Sequence, residues 1–158
     1  MDSRVEVYLR RARTEVDSAI ILFETSNKAE VKTIFNLDEG ATFFSGVISH
    51  AYYAIFYCAK AMLLSKGIEA LPPEVHKRTY EAFKKAFIDS GLLDARLLMI
   101  YKELIVRAEV LLGAYREEKR KRGMFTYNTI PQANKPPAEE SIGHAKMFLK
   151  HCNAFLSN

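Results

Sequence analysis

A chain of 158 residues has the length of one domain and can bury roughly 70% of the surface its unfolded form exposes. Apolar residues make up 49% of it, against seven Gly and five Pro, which excludes a disordered or collagen-like chain. The net charge of +4, with a pI near 9.0, is a mild excess that suits nucleic acid or an acidic partner and demonstrates neither.

Helical spacing governs the chain from its start. Val5, Leu9, Ala12, Val16, Ile20 and Phe23 recur every three or four residues, with Arg4, Glu6, Arg10, Arg13 and Asp17 between them. Asp2 or Ser3 supplies the N-cap oxygen that accepts an orphan backbone N–H. The opening MDSRVEVYLRRARTEV has no apolar h-region, and no run is read as reaching the roughly 18 apolar residues of a membrane span, so the expectation is a cytoplasmic protein. From Thr25 to Gly40 the pattern fades into a connection, with a short helical turn at Ala29 to Phe35.

The next segment, ATFFSGVISHAYYAIFYCAKAMLLSKG, is apolar almost all round. Ser49, Tyr53 and Lys60 form its one continuous polar line, because spacings of four and seven bring them to nearly one azimuth. Such a helix belongs at the centre of a bundle, and Gly67 ends it at a C′ position. LPPEVHKRTYEAFKKAF then places Pro at a helix start, with Val75, Tyr80, Phe83 and Phe87 inward and Lys77, Lys84 and Lys85 outward. Ser90-Gly91 breaks it.

A long helix follows from about Leu92 to Arg120, with Leu97, Tyr101, Leu104, Ala108, Leu111 and Tyr115 as its seam and a Glu103–Arg107 pair at i,i+4. Gly123 to Pro137 reads as a loop because of Pro131, Pro136 and Pro137. Ala138-Glu139-Glu140 opens a last helix whose core line is Ile142, Ala145, Phe148/Leu149, Cys152 and Phe155/Leu156. No run of period two stands out. The fold class is therefore all-α, an up-down bundle of four to five helices in a single domain over 1–158. Cys58 and Cys152 sit in apolar patterns without metal-ligand spacing and read as buried free thiols.

Four histidines require a test for metal and catalysis. Glu140, His144 and His151 share a flank of the last helix, but a di-iron bundle needs Glu-x-x-His on two helices, and that motif occurs nowhere. Solvated histidines are the reading there, with no metal and no cofactor expected. His50, beside Ser49 and Tyr53, reads as a hydrogen-bonded buried histidine. No Gly-rich phosphate loop, His-Glu-x-x-His or G-x-S-x-G is present. The stretch EEKRKRGMFTYNT, from Glu117 to Thr129, is a solvated helix end laced by i,i+4 pairs, followed by aromatics such pairs do not explain. Arg beside Phe125 and Tyr127 suits single-stranded RNA, whereas Met124, Phe125 and Ile130 equally suit a cap over the bundle's end. Composition alone favours the cap, since two aromatics make a thin stacking platform.

SHAYYAIFYCAKAMLLSKG followed by PPEVHKRTYEAFKKAF resembles the HEPN family (higher eukaryotes and prokaryotes nucleotide-binding domain). The residues that carry the likeness are Tyr52-Tyr53, Phe56, Ala59, the run Ala61 to Gly67, and His76-Lys77. It covers nearly the whole chain, with 27–44 as an insertion or long connection. The resemblance implies a dimeric helical bundle. Many members are RNases with Arg-x4-6-His at the end of the fourth long helix; others pair with a minimal nucleotidyltransferase in toxin–antitoxin modules. Here Arg122 plus four residues reaches Tyr127, as does Arg120 plus six, and no His lies between His76 and His144. A Tyr hydroxyl with pKa near 10 is a poor base, and Arg stabilises charge without shuttling protons, so the RNase reading is weakened.

The first reading is thus a homodimeric HEPN protein that binds RNA or nucleotide and acts with a nucleotidyltransferase in a toxin–antitoxin-like pair. Arg120, Arg122 and Tyr127 would hold phosphate and base, with Ser49 and Tyr53 as pocket walls. The second is a metal-independent endoribonuclease in which Arg122 acts with Tyr127, or His50 or His76 replaces the missing His. The third is a non-catalytic interaction module.

Overall fold

The computed structural model describes residues 2–120 and 134–158, the side chains of 112–120 excepted. Six α-helices follow in order: α1 (Ser3–Asn27), α2 (Ala29–Ile34), α3 (Phe44–Ser65), α4 (Val75–Phe83), α5 (Ala95–Arg120) and α6 (Lys135–Leu156). Among the described residues there is no strand.

α1 starts where the Asp2 carboxylate accepts the Arg4 backbone N–H at 2.9 Å. Its seam of Val5, Leu9, Ala12, Val16 and Ala19 is buried, and Glu15 is buried with it. The connection to α3 is fastened at both ends. Lys32 Nζ donates to the Glu39 carbonyl at 2.8 Å, and the Phe43 N–H donates to Ser26 Oγ at 2.8 Å.

α3 is the axis of the bundle, packed against α1, α4, α5 and α6. Ala51, Ala54, Ala59 and Ala61 are fully buried, so small side chains let neighbouring helices approach on several sides. By length and hydropathy alone α3 passes for a membrane span, a possibility the reading of apolar runs did not register. Its buried residues are covered by the other helices, as in a core helix. It ends as the glycine predicts: Gly67 has φ +71°, its N–H meets the Leu64 carbonyl, and the Ile68 N–H meets the Leu63 carbonyl.

α4 follows Pro72-Pro73 and runs into a single π turn, Lys84–Ile88, before Gly91 at φ +75° turns the chain. The Asp94 side chain then accepts the Arg96 N–H at 2.8 Å and caps α5, so that helix begins at Ala95 rather than Leu92. Phe83, Tyr101 and Phe148 bring α4, α5 and α6 together with ring centroids 5.4 to 5.8 Å apart. Tyr101 is fully buried in this cluster. It is core, as its place in the seam predicts.

α6 begins earlier than expected, at Lys135, with Pro136 and Pro137 in its first turn. First-turn N–H groups have no intrahelical acceptor, so proline there removes nothing. Arg107 of α5 holds this start: its guanidinium donates to Ser141 Oγ at 2.9 Å and to Glu140 at 2.9 Å.

Candidate functional site

The polar line of α3 reaches the surface between α1 on one side and α4 with α5 on the other. On the α4–α5 side lies a cleft of about 750 Å³, with Ser49, Tyr52 and Tyr53 from α3, His76 and Tyr80 from α4, and Ile105 and Ala108 from α5. Tyr53 is 39% exposed, a large ring left half in solvent. Lys77, Lys102, Glu74, Glu81 and Glu109 surround it. Glu74 occupies the left-handed region at φ +57°, a conformation unusual for a residue with a Cβ.

His76 forms the wall of this cleft. Its ring stacks on Phe56 with centroids 4.2 Å apart, and Tyr53 meets it edge-on at 5.8 Å. The Tyr52 hydroxyl lies 2.7 Å from Nδ1. Burial, with the Lys60 charge second, pulls the His76 pKa below the ordinary imidazole value. Burial pushes the Tyr52 hydroxyl in the opposite direction, so it stays a neutral phenol. With both groups uncharged, donation from Tyr52 O–H to Nδ1 gives the buried hydroxyl proton an acceptor and leaves the ring N–H on Nε2.

On the α1 side a second histidine is held by a carboxylate. Glu15, 5% exposed, accepts from Arg11 Nε at 2.9 Å and from His50 Nδ1 at 2.5 Å. Arg11 lies over the Tyr57 ring at 5.5 Å, Tyr57 stacks near Tyr8, and Lys60 lies over Tyr8 at 4.7 Å and over Phe56 at 5.6 Å. A run of rings with two cations set among them thus crosses α3 from Arg11 to His76. The sequence reading of His50 as hydrogen-bonded is correct, but its side chain is 37% exposed rather than buried, and its partner was missed. The signal was present: Glu15 interrupts the seam between Ala12 and Ala19, where a carboxylate is stable only with partners.

The structure brings Ser49 and Tyr53 together at the cleft, with Lys60 on the adjoining surface. Arg122 and Tyr127 lie outside the described residues, as does the side chain of Arg120. Arg120 itself is the last residue of α5.

A third cluster joins α5 to α6. Ligand atoms of Glu103, Glu140 and His144 lie within 4.8 Å of one another, close enough to hold a metal ion. The Arg107 guanidinium, however, donates to Glu103 at 2.6 Å and to Glu140 at 2.9 Å, and its side chain is only 11% exposed. That hydrogen bond also holds the Glu140 carboxyl below its usual range. A cation from the protein already satisfies both carboxylates, so the cluster is a clamp. His144 departs from the expected solvated histidine: its side chain is 20% exposed and its Nδ1 is buried, whereas His151 is exposed.

Residues 5–155 match the family model of the HEPN domain. A protein of Methanocaldococcus jannaschii named "Putative toxin MJ0142" is 31% identical over 100 residues, 63% of this chain and 63% of that relative. "UPF0332 protein PH1297" of Pyrococcus horikoshii is 30% identical over 90 residues, 57% of this chain and 50% of the relative. The alignments thus leave more than a third of each relative uncovered. No solved structure matches the chain. An all-helical bundle matched to the HEPN domain from the first seam residue of α1 to the last turn of α6 belongs to the HEPN family.

Proposed function

We propose that the chain is the toxin-like member of a HEPN–nucleotidyltransferase pair, a homodimer that binds single-stranded RNA or a nucleotide. The observation that carries this reading is the half-exposed Tyr53 at a cleft walled by His76 and Tyr80. Aromatic faces stack on bases, and cations beyond the cleft attract the phosphates between them. Along α5, Arg120 lies eleven positions beyond Glu109 at the cleft, about 16 Å at 1.5 Å per residue. Arg120, Arg122 and Tyr127 are assigned the next phosphate and base along the strand. The toxin role is supported by the name of the Methanocaldococcus relative. The dimer is supported by an apolar strip on α5, where Met99 is 71% and Val106 47% exposed beside half-buried Leu98.

Titration of the chain into labelled single-stranded RNA tests the binding. Affinity falls as salt rises from about 50 to 200 mM, because each neutralised phosphate releases counterion. Absence of binding at low salt contradicts the reading. For the pairing, expression of the chain alone slows growth and co-expression of a nucleotidyltransferase restores it; growth unaffected by either removes the toxin role.

A second reading, a metal-independent endoribonuclease, is favoured by one observation. His76, fixed by the Tyr52 hydroxyl, meets Tyr53 edge-on at the cleft, and His50, fixed by Glu15, lies one helical turn before Tyr53 on α3. Attack by a ribose 2′-OH needs a proton acceptor and a donor that work near neutral pH, which imidazole supplies. Cleavage that persists in chelator and is lost in His76→Gln, with RNA binding retained, supports this reading. Intact RNA after long incubation with the wild type contradicts it.

A further inference from the structure

The cleft that holds Tyr53 is badly suited to a phosphate. Three carboxylates, Glu74, Glu81 and Glu109, surround it against two lysines, Lys77 and Lys102. Local charge of that sign repels an anion. The floor is mostly apolar, built from Tyr52, Tyr53, Tyr80, Ile105 and Ala108, with the Tyr53 ring tilted 58° from that of Tyr52. At about 750 Å³ the space falls within the ordinary range for small-ligand pockets. The Glu109 charge is among the causes that keep Tyr52 protonated, so this carboxylate stands within electrostatic reach of the floor. The Tyr52 hydroxyl is occupied by His76 and offers a ligand little. A slot of rings edged by acceptors fits a planar heterocycle whose own edge donates. Carboxylates accept from the exocyclic amino group of a base, whereas uracil offers them one ring N–H flanked by two carbonyl oxygens that a carboxylate repels.

We propose that the cleft between α3, α4 and α5 takes one nucleobase bearing an exocyclic amino group, and that the attached phosphate is held outside it. This inference rests on the reading of the chain as an RNA or nucleotide binder and names the part of the ligand that enters. Tyr53 supplies the stacking face, Glu109 accepts from the amino group, and Ser49 at the α3 wall serves as donor or acceptor to the remaining edge atoms. Lys77 and Lys102, which also line the cleft, are the cations assigned to a phosphate leaving it.

Competition experiments on the full chain test this. Adenosine, cytidine, uridine and ribose 5-phosphate are each titrated against bound, labelled single-stranded RNA. The expected result is displacement by adenosine and cytidine, displacement by uridine about tenfold weaker, and none by ribose 5-phosphate. Glu109→Ala erases the difference between adenosine and uridine, while Tyr53→Ala weakens all three nucleosides. Both positions are exposed, so neither substitution disturbs the core. Equal competition by all nucleosides, no competition by any, or competition by ribose 5-phosphate as strong as by adenosine overturns the inference while leaving RNA binding in place. Failure of the RNA itself to bind overturns the reading beneath it as well.

Discussion

The Tyr52 hydroxyl meets His76 Nδ1 at 2.7 Å, joining the central helix to the first turn of α4 at the wall of the cleft. Because the His76 pKa is lowered on folding, the unfolded chain takes up its proton first as pH falls. The stability this group contributes is complete above its unfolded value near 6.5 and is lost as pH drops through the lower folded value. The melting temperature therefore falls more steeply below pH 6.5 in the wild type than in His76→Gln. Parallel profiles for the two proteins would show that His76 is not held neutral.

Glu15 predicts a cost for removing a buried acceptor. Glu15→Ala leaves His50 and Arg11 without their carboxylate and costs about 1–2 kcal/mol. The figure is below that for a fully buried pair because the His50 and Arg11 side chains are 37% and 57% exposed. Urea denaturation measures it; a loss under a few tenths of a kcal/mol would make the pair a surface contact.

Tyr101 predicts the opposite sign. Its hydroxyl is buried and has no hydrogen-bond partner among the described residues, so it carries an uncompensated desolvation penalty. Burial accordingly pushes its pKa well up. Tyr101→Phe keeps the ring packed against Phe83 and Phe148 and leaves the melting temperature unchanged or raised. A clear drop would reveal a partner for the hydroxyl.

The Arg107 clamp ties α5 to the start of α6 through Glu103, Glu140 and Ser141. Arg107→Ala costs about 1 kcal/mol: the guanidinium is mostly buried, but Glu103 and Glu140 are 43% and 52% exposed and Ser141 keeps its hydrogen bond to the Pro137 carbonyl. Zinc or chelator leaves the wild-type melting temperature unchanged, because the guanidinium holds the place a metal would need. Stabilisation by a divalent cation in the wild type would contradict that assignment.

The helices were legible in the sequence wherever periodicity is a local property. Val5, Leu9, Ala12 and Val16 mark the buried face of α1, and the all-round apolar character of α3 predicts its central place. Boundaries were less legible, because capping competes with pattern: Asp94 starts α5 late, and prolines harmless in a first turn start α6 early. Ser49 and Tyr53 were found because they break an apolar helix. Their surroundings were not, because Glu109, Tyr80 and His76 reach the cleft from helices whose packing angle no sequence period encodes. Glu15 was passed over although its position inside an apolar seam was the clue.

The central claim, that nucleic acid bases stack at Tyr53, is tested most directly by ultraviolet crosslinking of single-stranded RNA to the full chain, with the modified peptides mapped by mass spectrometry. The account predicts crosslinks within α3 at Tyr52 or Tyr53 and at the start of α4 near His76, weakened by excess adenosine. Crosslinks that spare both α3 and α4, or none under conditions where RNA is bound, would contradict it.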